Sequence, residues 1–217
     1  MSYVKGLDIL MDNINIDTLD NIQLDVLREI GNIGAGNATT ALSQMINKKI
    51  DMGVPKVNIS EFKELSEVLG GAENQVVGIL LNVEGEINGM MMFVLEKVSA
   101  HNLVNILMGK ELNTFEDFTE IDLSALKEIG NIITGAYLNS LSSLTNLKII
   151  SSIPYMAIDM AGAILSVPAI EFGKIGDKAL LIQTEFGEGE DKVFGNFILI
   201  PDVKSYGTIL KSLGITE

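Results

Sequence analysis

Apolar residues recur at helical spacing through Leu24, Leu27, Ile30 and Ile33. With Asp20 or Asn21 as a cap, this predicts a helix running to about residue 47. Residues 54–59 read as a short strand with a proline near its start, and 61–69 as a turn or two of helix before Gly70-Gly71. Two apolar runs follow, VVGILLNV at 76–83 and INGMMMFVL at 87–95, on either side of Glu84-Gly85-Glu86. Such runs joined by a short Gly-containing loop predict an antiparallel hairpin. From Lys97 to Met108 the helical period returns, and Gly109 is a stop signal.

The same order then repeats. A helix over about 122–145 follows the acidic linker 116–120. Residues 152–156 answer the first proline strand, and Pro154 lies 99 positions after Pro55. Residues 164–174 are apolar and read as a strand. Residues 179–186 and 193–200 predict a second hairpin around 187–191, and 202–213 a closing helix ending at Gly214, answering the one that starts near Lys97. Each copy offers one amphipathic sheet face and a few helices, so two copies can join their strands and share a core. The expected fold class is α/β: a pseudo-two-fold duplicated unit, mainly antiparallel sheet flanked by helices. The expected layout is an N-terminal arm, 1–17, with weak periodicity and no assigned role. A single domain over 18–217 follows, made of repeats at about 18–115 and 116–217. The repeat is too long, and the copies too few, for a solenoid.

Composition narrows the function classes. The 217 residues are 47% hydrophobic and 20% charged, enough for a sizeable core and against extensive disorder. A net charge of -14 argues against a nucleic-acid footprint and against anionic membrane surfaces, and leaves a basic protein partner open. There is no Cys, which removes disulfides, thiolate metal sites and Cys nucleophiles. The single His, His101, is expected on a helix surface, so a His-based zinc site and a Ser-His-Asp triad are disfavoured. The first twenty residues lack the basic start and apolar run of a signal peptide. No apolar run reaches the ~18 residues needed to cross a bilayer. The expectation is a soluble cytoplasmic protein.

The repeat is sharpest in DVLREIGNIGAGNATTALS (25–43) and SALKEIGNIITGAYLNSLS (124–142). Glu29 and Asn32 recur 99 positions on as Glu128 and Asn131. At spacing i, i+3 each pair shares a helix face. Repeated apolar residues explain a core; they do not explain a repeated polar pair. Gly31, Gly34, Gly36, Gly130 and Gly135 each cost about 1 kcal/mol relative to Ala in a helix interior. They either permit tight helix packing or keep a surface clear for a docking partner. GNIGAG is not a nucleotide loop, because its order is GxxGxG inside a helical run and no Walker lysine follows. One carboxylate with one carboxamide is no acid/base pair of the glycosidase kind. A carboxamide both donates to and accepts from water, which suits holding a water in line with an electrophile, as a glutamine does in GTPases. Electrophile and metal would then come from a partner.

These segments, LREIGNIGAGNATTALS and LKEIGNIITGAYLNSLS, resemble the paired signatures of CheC-type phosphatases, of the CheC/CheX/FliY group that dephosphorylates the response regulator CheY. The resemblance runs from about Leu19 to the end. Two complete motifs, with no further C-terminal domain, favour the CheC type over CheX or the flagellar-switch member FliY. The resemblance implies that Asn32 or Asn131 enters the regulator's site and positions the attacking water. Glu29 or Glu128 would pair with the regulator's lysine. It implies no cofactor of the chain's own, Mg²⁺ being held by the regulator. It also implies CheD, a receptor glutamine deamidase, as a partner; neither periodicity nor spacing locates that contact, and an exposed sheet edge is a guess. A non-catalytic adaptor for CheD or a response regulator, or a flagellar-switch component, are the alternatives. Ile133 and Thr134 replace Gly34 and Ala35, so the two docking surfaces differ.

Overall fold

The computed structural model describes residues 21–46, 51–52, 56–111, 116–172, 178–188 and 191–214. The arm expected at 1–17 lies outside them. In chain order the elements are α1 (Asn21–Ile46), β1 (Asp51–Met52), β2 (Lys56–Glu61), α2 (Phe62–Val68), β3 (Gln75–Gly85), β4 (Gly89–Glu96) and α3 (Lys97–Met108). Then come α4 (Glu120–Thr145), β5 (Ile149–Ser151), β6 (Tyr155–Met160), α5 (Ala161–Phe172), β7 (Lys178–Glu188), β8 (Asp191–Pro201) and α6 (Val203–Ser212). The expected class holds: a mixed α/β fold with six helices among the described residues and an antiparallel sheet.

All eight strands form one sheet, ordered β1-β7-β8-β4-β3-β5, with β2 also on β7 and β6 also on β3. The leading strands of each half therefore pair with the other half's hairpin. The registers locate a pseudo-dyad. Lys56 lies opposite Gln183, and its mate Tyr155 opposite Leu80. Gln183 lies opposite Asn196, and Leu80 opposite Met92. Asn196 and Met92 are thus mates, and so, one step along, are Phe197 and Phe93. These two face each other across β4 and β8, their rings stacked at 4.8 Å. The axis passes through this pair.

The central segments of the hairpin strands are buried on both faces, which is why 76–81, 90–95, 179–182 and 197–200 read as apolar runs. Val77, Ile79, Leu81, Phe93 and Phe197 join the core under α1, α3, α4 and α6. Val76, Leu80, Met92, Val94 and Ile198 face the smaller core under α2 and α5. Gly109, at φ 64, ends α3 in the left-handed conformation, as expected of a helix-stopping glycine.

Three expectations need correction. Residues 164–172 belong to helix α5, not to a strand. Ala161, Ile164, Leu165 and Pro168 are its buried positions, at helical spacing. A run this apolar, broken only by Ser166 and Glu171, carries neither period clearly, and the sheet beneath decides. The strand expected over 152–156 is interrupted at 152–154, between β5 and β6, where Pro154 has no N–H to give a ladder. His101 is not on the surface: it is buried, its ring stacked on Phe118 at 3.9 Å.

Candidate functional site

Helices α1 and α4 lie over the same face of the sheet and pack on each other. Three of their glycines are explained by that packing. A Cβ on Gly31 would fall 2.7 Å from Val57 Cγ2, one on Gly130 2.5 Å from Ile79 Cδ1, and one on Gly34 2.5 Å from Tyr137 Cε2. The helices can settle on the strands and on each other only because these positions are bare. Across the junction Asn37 Nδ2 donates to Ser140 Oγ at 2.8 Å.

Leu27, Ile30, Leu42, Leu126, Ile129 and Leu141 point into the core. The opposite helix faces are consequently turned outward. Glu29 and Glu128 are exposed, and Asn32 and Asn131 are half-buried at the surface. Each Glu and its Asn stand one turn apart, so the structure joins each predicted pair on one face. The two pairs sit on separate helices, related by the pseudo-dyad. Among the described residues no hydrogen bond or ion pair ties down any of the four. Asn32 Oδ1 is shielded from solvent and has no partner. A buried acceptor left unpaired costs about 1–3 kcal/mol, and Thr134 Oγ1 and the Tyr137 hydroxyl are in the same position.

A basic residue, Arg28 or Lys127, precedes the glutamate in both copies, and the 99-residue offset alone would have revealed this. In the first copy Arg28 Nη1 is paired with Asp25 Oδ1 at 2.8 Å. The second copy has Ser124 at the matching place and therefore no equivalent pair.

The second face is anchored from its N-terminal end. Thr119 caps α4: its hydroxyl accepts from the Asp122 N–H, and Asp122 Oδ2 accepts from the Thr119 N–H at 3.0 Å and its hydroxyl at 2.8 Å. Lys110 Nζ donates to Asp122 Oδ1 at 3.0 Å. The Thr119 N–H first, then its hydroxyl and Lys110, hold the Asp122 carboxyl below the ordinary range. Burial, aided by Lys97, pushes the His101 imidazole below its ordinary value. No group of three or more His, Cys, Asp or Glu that could hold a metal occurs among the described residues. No described helix is long and apolar enough to cross a membrane.

Fold and site together define a duplicated α/β protein that offers two outward Glu/Asn faces with no metal cluster among the described residues beside them. The chain belongs to the CheC-like family. That family's model matches residues 22–59 and 121–154, each a motif helix and the segment after it. The CheY-P phosphatase CheC of Bacillus subtilis is 36% identical over 196 residues, covering 88% of this chain and 94% of that protein. The flagellar motor switch phosphatase FliY of the same organism is 29% identical over 140 residues, 64% of this chain but 36% of the relative. In fold, the crystal structure of Thermotoga maritima FliY superposes with a TM-score of 0.72 at 24% identity, covering 92% of this chain and all of that one.

Proposed function

We propose that this chain is a phosphatase acting on the aspartyl phosphate of a CheY-type response regulator. The observation that carries the reading is the doubled Glu/Asn face, its glutamates exposed, its asparagines half-buried and all four free of internal partners, in a chain 36% identical to a CheY-P phosphatase. The regulator brings the phosphoryl group, a Mg²⁺ and a lysine. This chain brings two side chains per site. Glu29 or Glu128 pairs with the lysine and sets the docking angle. Asn32 or Asn131 reaches the phosphoryl group, its amide holding a water in line with phosphorus. A half-turn about χ2 exchanges the Asn oxygen for its NH₂, so the Asn32 amide can present either group on engagement. No covalent intermediate forms on this chain.

Orienting one water is a positioning effect of roughly 3 kcal/mol, about a hundredfold in rate. The test is phosphate release from phosphorylated regulator with Mg²⁺. Asn32→Ala with Asn131→Ala is expected to return the rate to that of the regulator alone, with an unchanged far-UV spectrum. A double variant as fast as the parent chain would refute the assignment, and the single variants apportion the activity between the faces.

CheD is the second proposed partner, at the outer edge of β6. That strand pairs with β3 on its inner side and leaves Tyr155 and Met160, 62% and 52% exposed, at the sheet margin. Its mate β2 carries Lys56 and Glu61 in those places. Charges on a sheet edge discourage pairing, and their replacement by apolar side chains at one edge alone favours a partner there.

A further inference from the structure

Packing accounts for Gly31, Gly34 and Gly130, but not for Gly36 and Gly135. These two are mates 99 positions apart, and a Cβ on either meets nothing within 4 Å. Both are partly exposed. Both are inside long α-helices, where glycine is among the poorest choices, and the fold has room for alanine. Their place is informative. Residues 29, 32 and 36, like 128, 131 and 135, follow the i, i+3, i+7 row of one helix face. At about 1.5 Å rise per residue, each glycine lies about 6 Å along the axis from its Asn, on the side away from the Glu.

We propose that Gly36 and Gly135 are clearance positions, where the backbone of the docked response regulator closes onto bare helix. The inference rests on the phosphatase reading and deepens it. An asparagine amide stands close to its own backbone, and so does an aspartyl phosphate. For the two to meet, helix and regulator must approach nearly to backbone contact around Asn32 or Asn131. A side chain one turn further along the same row would touch the regulator first and lift the amide off the phosphoryl group. A misplacement of about 1 Å costs on the order of a hundredfold in rate. The glycine on each face is thus the counterpart of its glutamate: Glu holds one flank of the docked partner, and the empty flank lets the other side settle.

The test uses single-site chains. Gly36→Ala is placed in Asn131→Ala protein, where the α1 face alone is active, and Gly135→Ala in Asn32→Ala protein. Thermal midpoint and kcat/KM toward phosphorylated regulator with Mg²⁺ are measured for each. The expected result is a midpoint raised above the parent's, with kcat/KM lowered at least about tenfold. Gly36→Ala in the Asn32→Ala background should leave the rate of the α4 face unchanged, which a general structural defect would not do. Activity kept within about twofold of the single-site parent, or a lowered midpoint, overturns the proposal while the phosphatase reading stands. Failure of that reading looks different: both single-site parents, still carrying their glycines, release phosphate no faster than the regulator alone.

Discussion

Gly34→Ala is the sharpest probe of how the two motif helices are seated. A Cβ at residue 34 would lie 2.5 Å from Tyr137 Cε2 and 3.0 Å from Cγ. Carbon atoms in good contact sit ~3.5–4.0 Å apart, so ring and helix must separate by about 1 Å. The ring cannot yield easily. Tyr137 is fully buried and stacks on Phe197 at 6.4 Å, which stacks in turn on Phe93. Overpacking of this kind costs about 1–3 kcal/mol, and the alanine returns about 1 kcal/mol of helix propensity. With the ring walled in, the upper part of the range applies and the net loss is about 2 kcal/mol. For a chain of this size that lowers the thermal midpoint by about 4–8 °C. Thermal melts followed by circular dichroism, with urea titration as a second measure, test it. Gly36→Ala, two residues along the same helix, should shift the midpoint the other way. A Gly34→Ala protein as stable as the parent would show that α1 and α4 are not seated through this glycine.

The remaining predictions concern pH and the sheet edge. The folded chain holds Asp122 below its ordinary range, so the stabilisation is present above the unfolded value of 3.8 and is lost as pH falls through the lower folded value. His101 is also depressed. Its neutral form stabilises fully above about pH 6.5, and that stabilisation drains away as pH drops toward the folded value. Stability followed from pH 7 downward should decline in two stages, and Asp122→Asn should flatten the lower stage only; an unaltered lower limb would sink this account. Tyr155→Lys is expected to abolish co-elution with purified CheD while phosphate release from the regulator persists, and retained co-elution would move the contact off β6.

The motif faces were legible because they occur twice. One Glu/Asn pair on a helix is indistinguishable from ordinary solvated residues, whereas an identical pair 99 positions on is not. The hairpins were legible from their paired apolar runs, though not that both strand faces are covered, nor that β2 crosses to β7 and β6 to β3. Those pairings join residues 117–127 positions apart in one case and 75–85 in the other, and no local period encodes them. Helix α5 reads as a strand because Ile164, Leu165, Val167, Pro168 and Ile170 outnumber Ser166 and Glu171, too few polar residues to mark a helix face. His101 was misplaced because its cover, Phe118, comes from the linker before α4. The glycines were half legible: their cost was plain, but only the neighbours of each backbone separate packing from open ground.

Stacked on the dyad, Phe93 and Phe197 are mates in direct contact. Away from the axis a substitution favours one half, since its counterpart keeps its original residue. This leaves the two Glu/Asn faces free to drift apart. At the hub there is no such freedom: either ring belongs equally to both halves, and a change in one must be felt on both sides at once.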